Sequence, residues 1–187
     1  MTLRHRLPWF ALLLCTLTAG VDAAEGFRIA RAELVKQASD WVLNADIDYR
    51  FSDVAIDALR NGVPLTLEWR LVVARDRPWI WDDTVIEVRR RARVSYRSLA
   101  KLFQFVPEGA GLAPRNFASL NALLENLGSL RGLPVAKAAQ LPDGERYRAR
   151  LAVSLDIEAL PLPLRPIAYL SAGWRLSSPW YRWTPAS

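Results

Sequence analysis

The chain has 187 residues, 51% hydrophobic and 24% charged, with 12 prolines and a formal net charge of +6, which suits one folded domain and excludes a disordered, collagenous or multi-domain chain. Its single histidine, cysteine and methionine are His5, Cys15 and Met1, all in the first fifteen residues. If that end is removed on export, histidine- and cysteine-dependent catalysis, thiol redox chemistry and the usual zinc sites are excluded with it.

The chain opens with Arg4 and Arg6, an apolar run from Phe10 to Leu17, and the small residues Ala19 to Ala24. This is the pattern of a secretory signal peptide. Val21 and Ala23 fit the positions three and one before a cut, so residues 1–23 are expected to be the signal and 24–187 a single domain. The alternative is an uncleaved anchor, for which the apolar run is short, since a membrane helix needs about 20 apolar residues. The cut takes two of the 25 basic residues and one of the 19 acidic ones, so the net charge falls only from +6 to +5. An exported domain of this size is large enough to fold without disulfides.

Period-two alternation then marks strands. Short strands are expected at 27–34, 102–106 and 174–183. Residues 41–51 place Trp41, Leu43, Ala45, Ile47, Tyr49 and Phe51 on one face. Ser52 is placed to cap a short helix through Arg60, closed by Asn61 and Gly62. Residues 64–75 turn Leu65, Leu67, Trp69, Leu71 and Val73 inward. A turn at Arg75 to Pro78 leads to 84–97, with Ile86, Val88, Ala92, Val94 and Tyr96 inward and Arg90 as a misfit. Opposite charges favour a register setting Glu68 against Arg89 and Arg70 against Glu87.

The stripe Phe117, Leu120, Leu124, Leu127 and Leu130 predicts a longer helix over 116–130, ended by Gly132 and Pro134. Residues 145–157 form another strand, with Tyr147, Ala149, Leu151, Val153, Leu155 and Ile157 inward. The proline-rich run from Leu160 to Pro166 reads as an extended crossover. The expected fold is α+β and mainly antiparallel: a curved sheet or β-sandwich with one short and one longer helix packed on it.

The chemistry that survives is sparse. Ser98-Leu99-Ala100-Lys101 matches the S-x-x-K pattern of penicillin-recognising enzymes, but their Ser-Asp-Asn and Lys-Thr-Gly elements are missing. Asp46 with Asp48, and Asp82 with Asp83, are weak candidates for acid-base work or calcium, because the first pair lies on an outward strand face and the second alternates between faces. Gly109-Ala110-Gly111 lacks the remainder of a phosphate loop. No cofactor or metal is expected.

Two surface features stand out. Arg89, Arg91, Arg93 and Arg97 share one face of one strand, and Arg146, Arg148 and Arg150 share one face of another. Side by side, these strands would present a basic surface to anionic lipid headgroups, lipopolysaccharide phosphates or an acidic protein. Export disfavours nucleic acid. The plainer reading is a solvated face partly neutralised by Glu68, Glu87, Asp46 and Asp48. The second feature is aromatic: Trp41 and Trp69 fit the core, Trp79 and Trp81 flank a turn, and Trp174, Trp180, Tyr181 and Trp183 gather near the terminus. Such a cluster binds sugars or apolar ligands or sits at a membrane interface; more commonly it anchors a last strand to the core.

The stretch Leu155 to Leu164, followed by Trp174-Arg175-Leu176-Ser177-Ser178 and Trp180-Tyr181-Arg182-Trp183, resembles an exported proteobacterial family, domain of unknown function 4390. The segment Ala58 to Leu65, the Tyr96 to Leu99 element and the Leu-rich stretch from Phe117 are similar to it too. The resemblance covers nearly all of residues 24–187 and implies no activity or site. Its genes often lie near those of a membrane sensor kinase of the nitrogen-regulation type, which implies a link to envelope signalling. The expectation is therefore a periplasmic, non-enzymatic binding or interaction module, with a membrane protein or an anionic envelope component as partner. A carrier holding a lipid between sheet and helix, and a carboxylate-based envelope hydrolase, are the alternatives.

Overall fold

The computed structural model describes residues 25–77, 83–109 and 112–185. The expected signal peptide, the turn residue Pro78, and Trp79, Trp81, Asp82, Ala110 and Gly111 lie outside the described residues.

Two antiparallel sheets face each other. The smaller contains β1 (Gly26–Gln37), β2 (Asp40–Arg50) and β7 (Ser129–Lys137), in the order β1-β2-β7. The larger contains β3 (Leu65–Arg75), β4 (Asp83–Arg97), β5 (Leu102–Pro107), β6 (Arg115–Phe117), β8 (Tyr147–Leu155) and β9 (Tyr181–Trp183), in the order β6-β5-β4-β3-β8-β9. Alternation sets the inner faces: Trp41, Leu43, Ala45, Ile47 and Tyr49 on β2 meet Leu65, Leu67, Trp69, Leu71 and Val73 on β3, all buried. Between the layers the Trp69 indole donates a hydrogen bond to the Tyr49 hydroxyl at 2.9 Å. Burial pushes the Tyr49 phenol well above its ordinary pKa, and the bond from Trp69 opposes that rise.

The short helix α1 (Asp53–Arg60) forms as its sequence dictates. Ser52 accepts from the Ala55 amide at 3.2 Å, Asp53 and Arg60 sit at the ends favoured by the helix dipole, and Asn61 closes it. The buried Ser52 hydroxyl also donates to the Gly173 carbonyl at 2.5 Å, tying α1 to the C-terminal segment.

Four expectations are corrected. The β3–β4 register sets Glu68 opposite Arg91 and Arg70 opposite Arg89. The like-charged pair is tolerated because Glu87 binds both arginines, Arg70 diagonally across the strands at 2.8 Å and Arg89 along β4 at 3.1 Å.

The predicted helix over 116–130 is shorter. Helix α2 (Leu120–Gly128) is capped by Ser119, whose hydroxyl accepts from the Ala122 amide at 3.1 Å, and it buries Leu123 and Leu127. Residues 115–117 are strand β6, and Gly132 and Pro134 lie within β7. A proline fits there because β7 is an edge strand, and Gly132 adopts φ 63° where the pairing with β2 shifts register.

The run from Leu160 to Pro166 is not extended. A 3₁₀ turn at Leu162–Leu164 leads into α3 (Arg165–Leu170), with Pro166 in the first turn where its missing N–H costs nothing. The expected strand over 174–183 shrinks to β9, preceded by a single bridge between Ser154 and Ser177.

Candidate functional site

The outer face of the large sheet carries the predicted arginines. Arg89, Arg91, Arg93 and Arg97 are exposed on β4; Arg146, just before β8, and Arg148 and Arg150 on it are exposed too. The two groups are not neighbours, because β3 runs between β4 and β8. The outer side of β3 supplies Glu68, Arg70 and Val72 to the same surface.

Ion pairing then divides the arginines. Arg91 bonds Glu68 at 2.8 Å and reaches Asp156 at 3.4 Å. Arg89 and Arg70 share Glu87, and together they hold its carboxyl below the usual carboxylate range. Arg148 bonds Asp76 at 2.5 Å. Among the described residues Arg93, Arg97, Arg146 and Arg150 have no ion-pair partner. A further arginine joins them: Arg182 of β9 stands directly opposite Arg150 and is likewise unpaired among the described residues.

The aromatic group does not form one cluster. Trp174 is buried in the core. Tyr181 and Trp183 are paired with Leu151 and Ala149 and lie on the inner face, their ring centroids 5.8 Å apart. Trp180 alone joins the outer face, 4.8 Å below the Arg150 guanidinium and 5.9 Å from that of Arg70.

The segment from Trp174 to Trp180 serves to seal the edge of β8. The Leu155 amide donates to the Leu176 carbonyl at 2.8 Å, the Val153 amide to the Ser178 hydroxyl at 3.0 Å, and the Phe27 amide to the Ser177 carbonyl at 3.3 Å. These bonds join the two sheets through one segment.

A second feature lies between the layers. Three strands cannot cover the inner face of six, so α2 and β7 close over β4 and β5 only partly. A cleft of about 640 Å³ remains, with Trp69, Phe105, Leu127 and Leu130 among its lining residues. Arg90 enters it from β4, in the inward phase opposite Trp69, and its guanidinium donates to the Pro134 carbonyl at 3.4 Å. Arg115 enters from β6, in the inward phase opposite Phe105, and lies 4.9 Å over that ring. The alternation misfit at Arg90 is thus the mark of a cleft.

Carboxylates are placed differently. Asp48 bonds Arg28 at 2.6 Å and Asp46 bonds Arg131, both on the outer side of β2. Among the described residues the polar ones buried as whole residues are Ser52 and Thr66, and no carboxylate is among them. The described residues contain no group of three or more potential metal ligands of the His, Cys, Asp and Glu types. Among them, too, no helix is long and apolar enough to cross a membrane. Ser98 and Lys101 sit in the exposed turn between β4 and β5.

Comparison with known families matches residues 24–184 to Domain of unknown function (DUF4390). No curated protein and no solved structure matches the chain.

Proposed function

The chain belongs to the DUF4390 family, a domain of unknown function, and we propose that it works in the cell envelope as a non-enzymatic module that holds an anionic membrane surface against its large sheet. The observation that carries this reading is the arrangement of Arg150 and Arg182, side by side across β8 and β9, unpaired among the described residues, with Trp180 stacked beneath Arg150. Guanidinium groups bind phosphate oxygens through paired donors, and tryptophan favours the headgroup layer of a membrane. Arg93 and Arg97 extend the charge along β4. The secretory pattern of residues 1–23 supports an envelope setting.

Vesicle co-sedimentation tests the proposal. The protein is expected to bind vesicles containing phosphatidylglycerol, to ignore purely zwitterionic ones, and to be released as salt rises and the Debye length falls from about 10 Å at 0.1 M. Arg150→Glu with Arg182→Glu abolishes the binding. Equal binding to both vesicle types, or an unaffected double variant, overturns the reading. A loss of phenotype in the double variant when the natural protein binds no vesicles also overturns it, and points instead to an acidic protein such as the sensor kinase implied by the family resemblance.

A further inference from the structure

We infer that the cleft between α2, β7 and the inner face of β4 and β5 is a binding site for a long-chain carboxylate. Strand phase singles out this region. Inward positions of a sandwich strand are apolar because a charge there loses its water, yet β4 and β6 each direct an arginine into this one region. Arg90 and Arg115 have no ion-pair partner among the described residues, so their charge is available to a ligand.

The shape and chemistry of the cleft suit such a ligand. The volume of about 640 Å³ falls inside the range of roughly 300–1,000 Å³ typical of small-molecule sites. Trp69, Phe105, Leu127, Leu130 and Leu133 offer an apolar lining for a hydrocarbon chain, and its methylenes gain free energy on leaving water. The cations are placed to receive a carboxylate head by charge-assisted hydrogen bonds. Arg131 also lines the cleft but is already engaged by Asp46 and by the Ala45 and Leu130 carbonyls. Glu108 is the one acid among the lining residues, against four arginines.

A third observation concerns Asn126, another lining residue. Its side-chain oxygen is buried and has no hydrogen-bond partner. Buried amides without partners are rare in folded proteins, and a hydroxyl carried on the ligand's chain would satisfy this one. The cleft therefore combines an apolar lining, two cations without an ion-pair partner among the described residues and an unsatisfied polar atom.

The site is independent of the outer sheet face, so either proposal survives the failure of the other. The test is titration of the purified full-length protein with cis-parinarate, a long-chain carboxylate that fluoresces when shielded from water, followed by displacement. One saturable site is expected. Oleate displaces the probe about tenfold or more better than oleyl alcohol, and Arg90→Glu with Arg115→Glu weakens the probe by a similar factor, as loss of charge-assisted bonds requires. Arg146→Glu, on the outer face, leaves the affinity unchanged. Arg115→Gln, on an exposed three-residue edge strand, keeps the test intact if the double variant unfolds, and is expected to weaken binding several-fold. Absence of saturable binding, equal displacement by oleate and the alcohol, or wild-type affinity in the Arg115 variant overturns the inference. Equal loss in Arg146→Glu would also overturn it, by making the effect one of overall charge.

Discussion

Replacing Tyr49 by phenylalanine removes one oxygen from the centre of the sandwich and leaves the Trp69 indole N–H without its acceptor. Tyr49 and Trp69 are 8% and 6% exposed, so water cannot take the place of the lost hydroxyl. The ring packing is retained, since Phe27 and Phe51 meet the Tyr49 ring at centroid distances of 5.0 and 6.3 Å through its aromatic carbons. The cost is then the penalty of an orphaned buried donor, about 1–3 kcal/mol. For a chain of this size each kcal/mol corresponds to about 2–4 °C in Tm.

The same substitution carries a pH signature. Burial raises the phenol pKa in the folded state, whereas in the unfolded chain the group ionises near its ordinary value of about 10. The stability linked to Tyr49 is therefore fully present below pH about 10 and is lost as the pH climbs toward the folded value. At pH 11 that loss amounts to about 1 kcal/mol in the natural protein and to nothing in the Tyr49→Phe variant. Urea unfolding followed by far-ultraviolet circular dichroism at pH 7 and pH 11 measures both quantities. The gap between the two proteins should narrow by about 1 kcal/mol at the higher pH. A neutral substitution at pH 7, or a gap that stays constant, would show that the Tyr49–Trp69 bond does not carry this stability.

Two further substitutions probe how helices join the sheets. Ser52→Ala deletes both the cap of α1 and the bond to the Gly173 carbonyl, and should cost about 1–2 kcal/mol, read as a lower urea midpoint with an unchanged slope. Gly128→Ala should destabilise by about 1–3 kcal/mol in thermal unfolding, because the new Cβ would sit 2.8 Å from the Ile47 backbone oxygen. Helix propensity alone predicts the opposite sign, a gain of about 1 kcal/mol, so the direction of the shift decides between packing and propensity.

The strands and α1 are legible in the sequence because their signals are local. Period-two alternation at Trp41 to Tyr49 and at Leu65 to Val73 reflects one buried face, and Ser52 with Asn61 brackets a helix within ten residues. The region from Arg115 to Lys137 misleads because leucines at helical spacing continue through Leu130, while the pairing that makes 129–137 a strand is with β2, some ninety residues away in sequence. The β3–β4 register escapes a rule based on directly opposed charges because Glu87 satisfies Arg70 diagonally and Arg89 along its own strand. Arg182 goes unrecognised as a member of the basic face because it lies in a short aromatic strand, and only its pairing with Arg150 reveals the juxtaposition.

The two surfaces differ in how a sequence announces them. The outer face is written as arginine on alternate positions, but that pattern overstates it, since Arg89, Arg91 and Arg148 are already held by carboxylates. The cleft is written as a single irregularity, Arg90 where alternation demands an apolar residue. Its counterpart Arg115 is invisible until β6 pairs with β5 and turns that side chain inward. A break in alternation costs little on a solvated strand, but on the inner face of a six-stranded sheet it must be matched by incomplete cover. The three-stranded partner sheet provides that condition, so Arg90, the shortfall in the facing layer and the cleft have one structural origin.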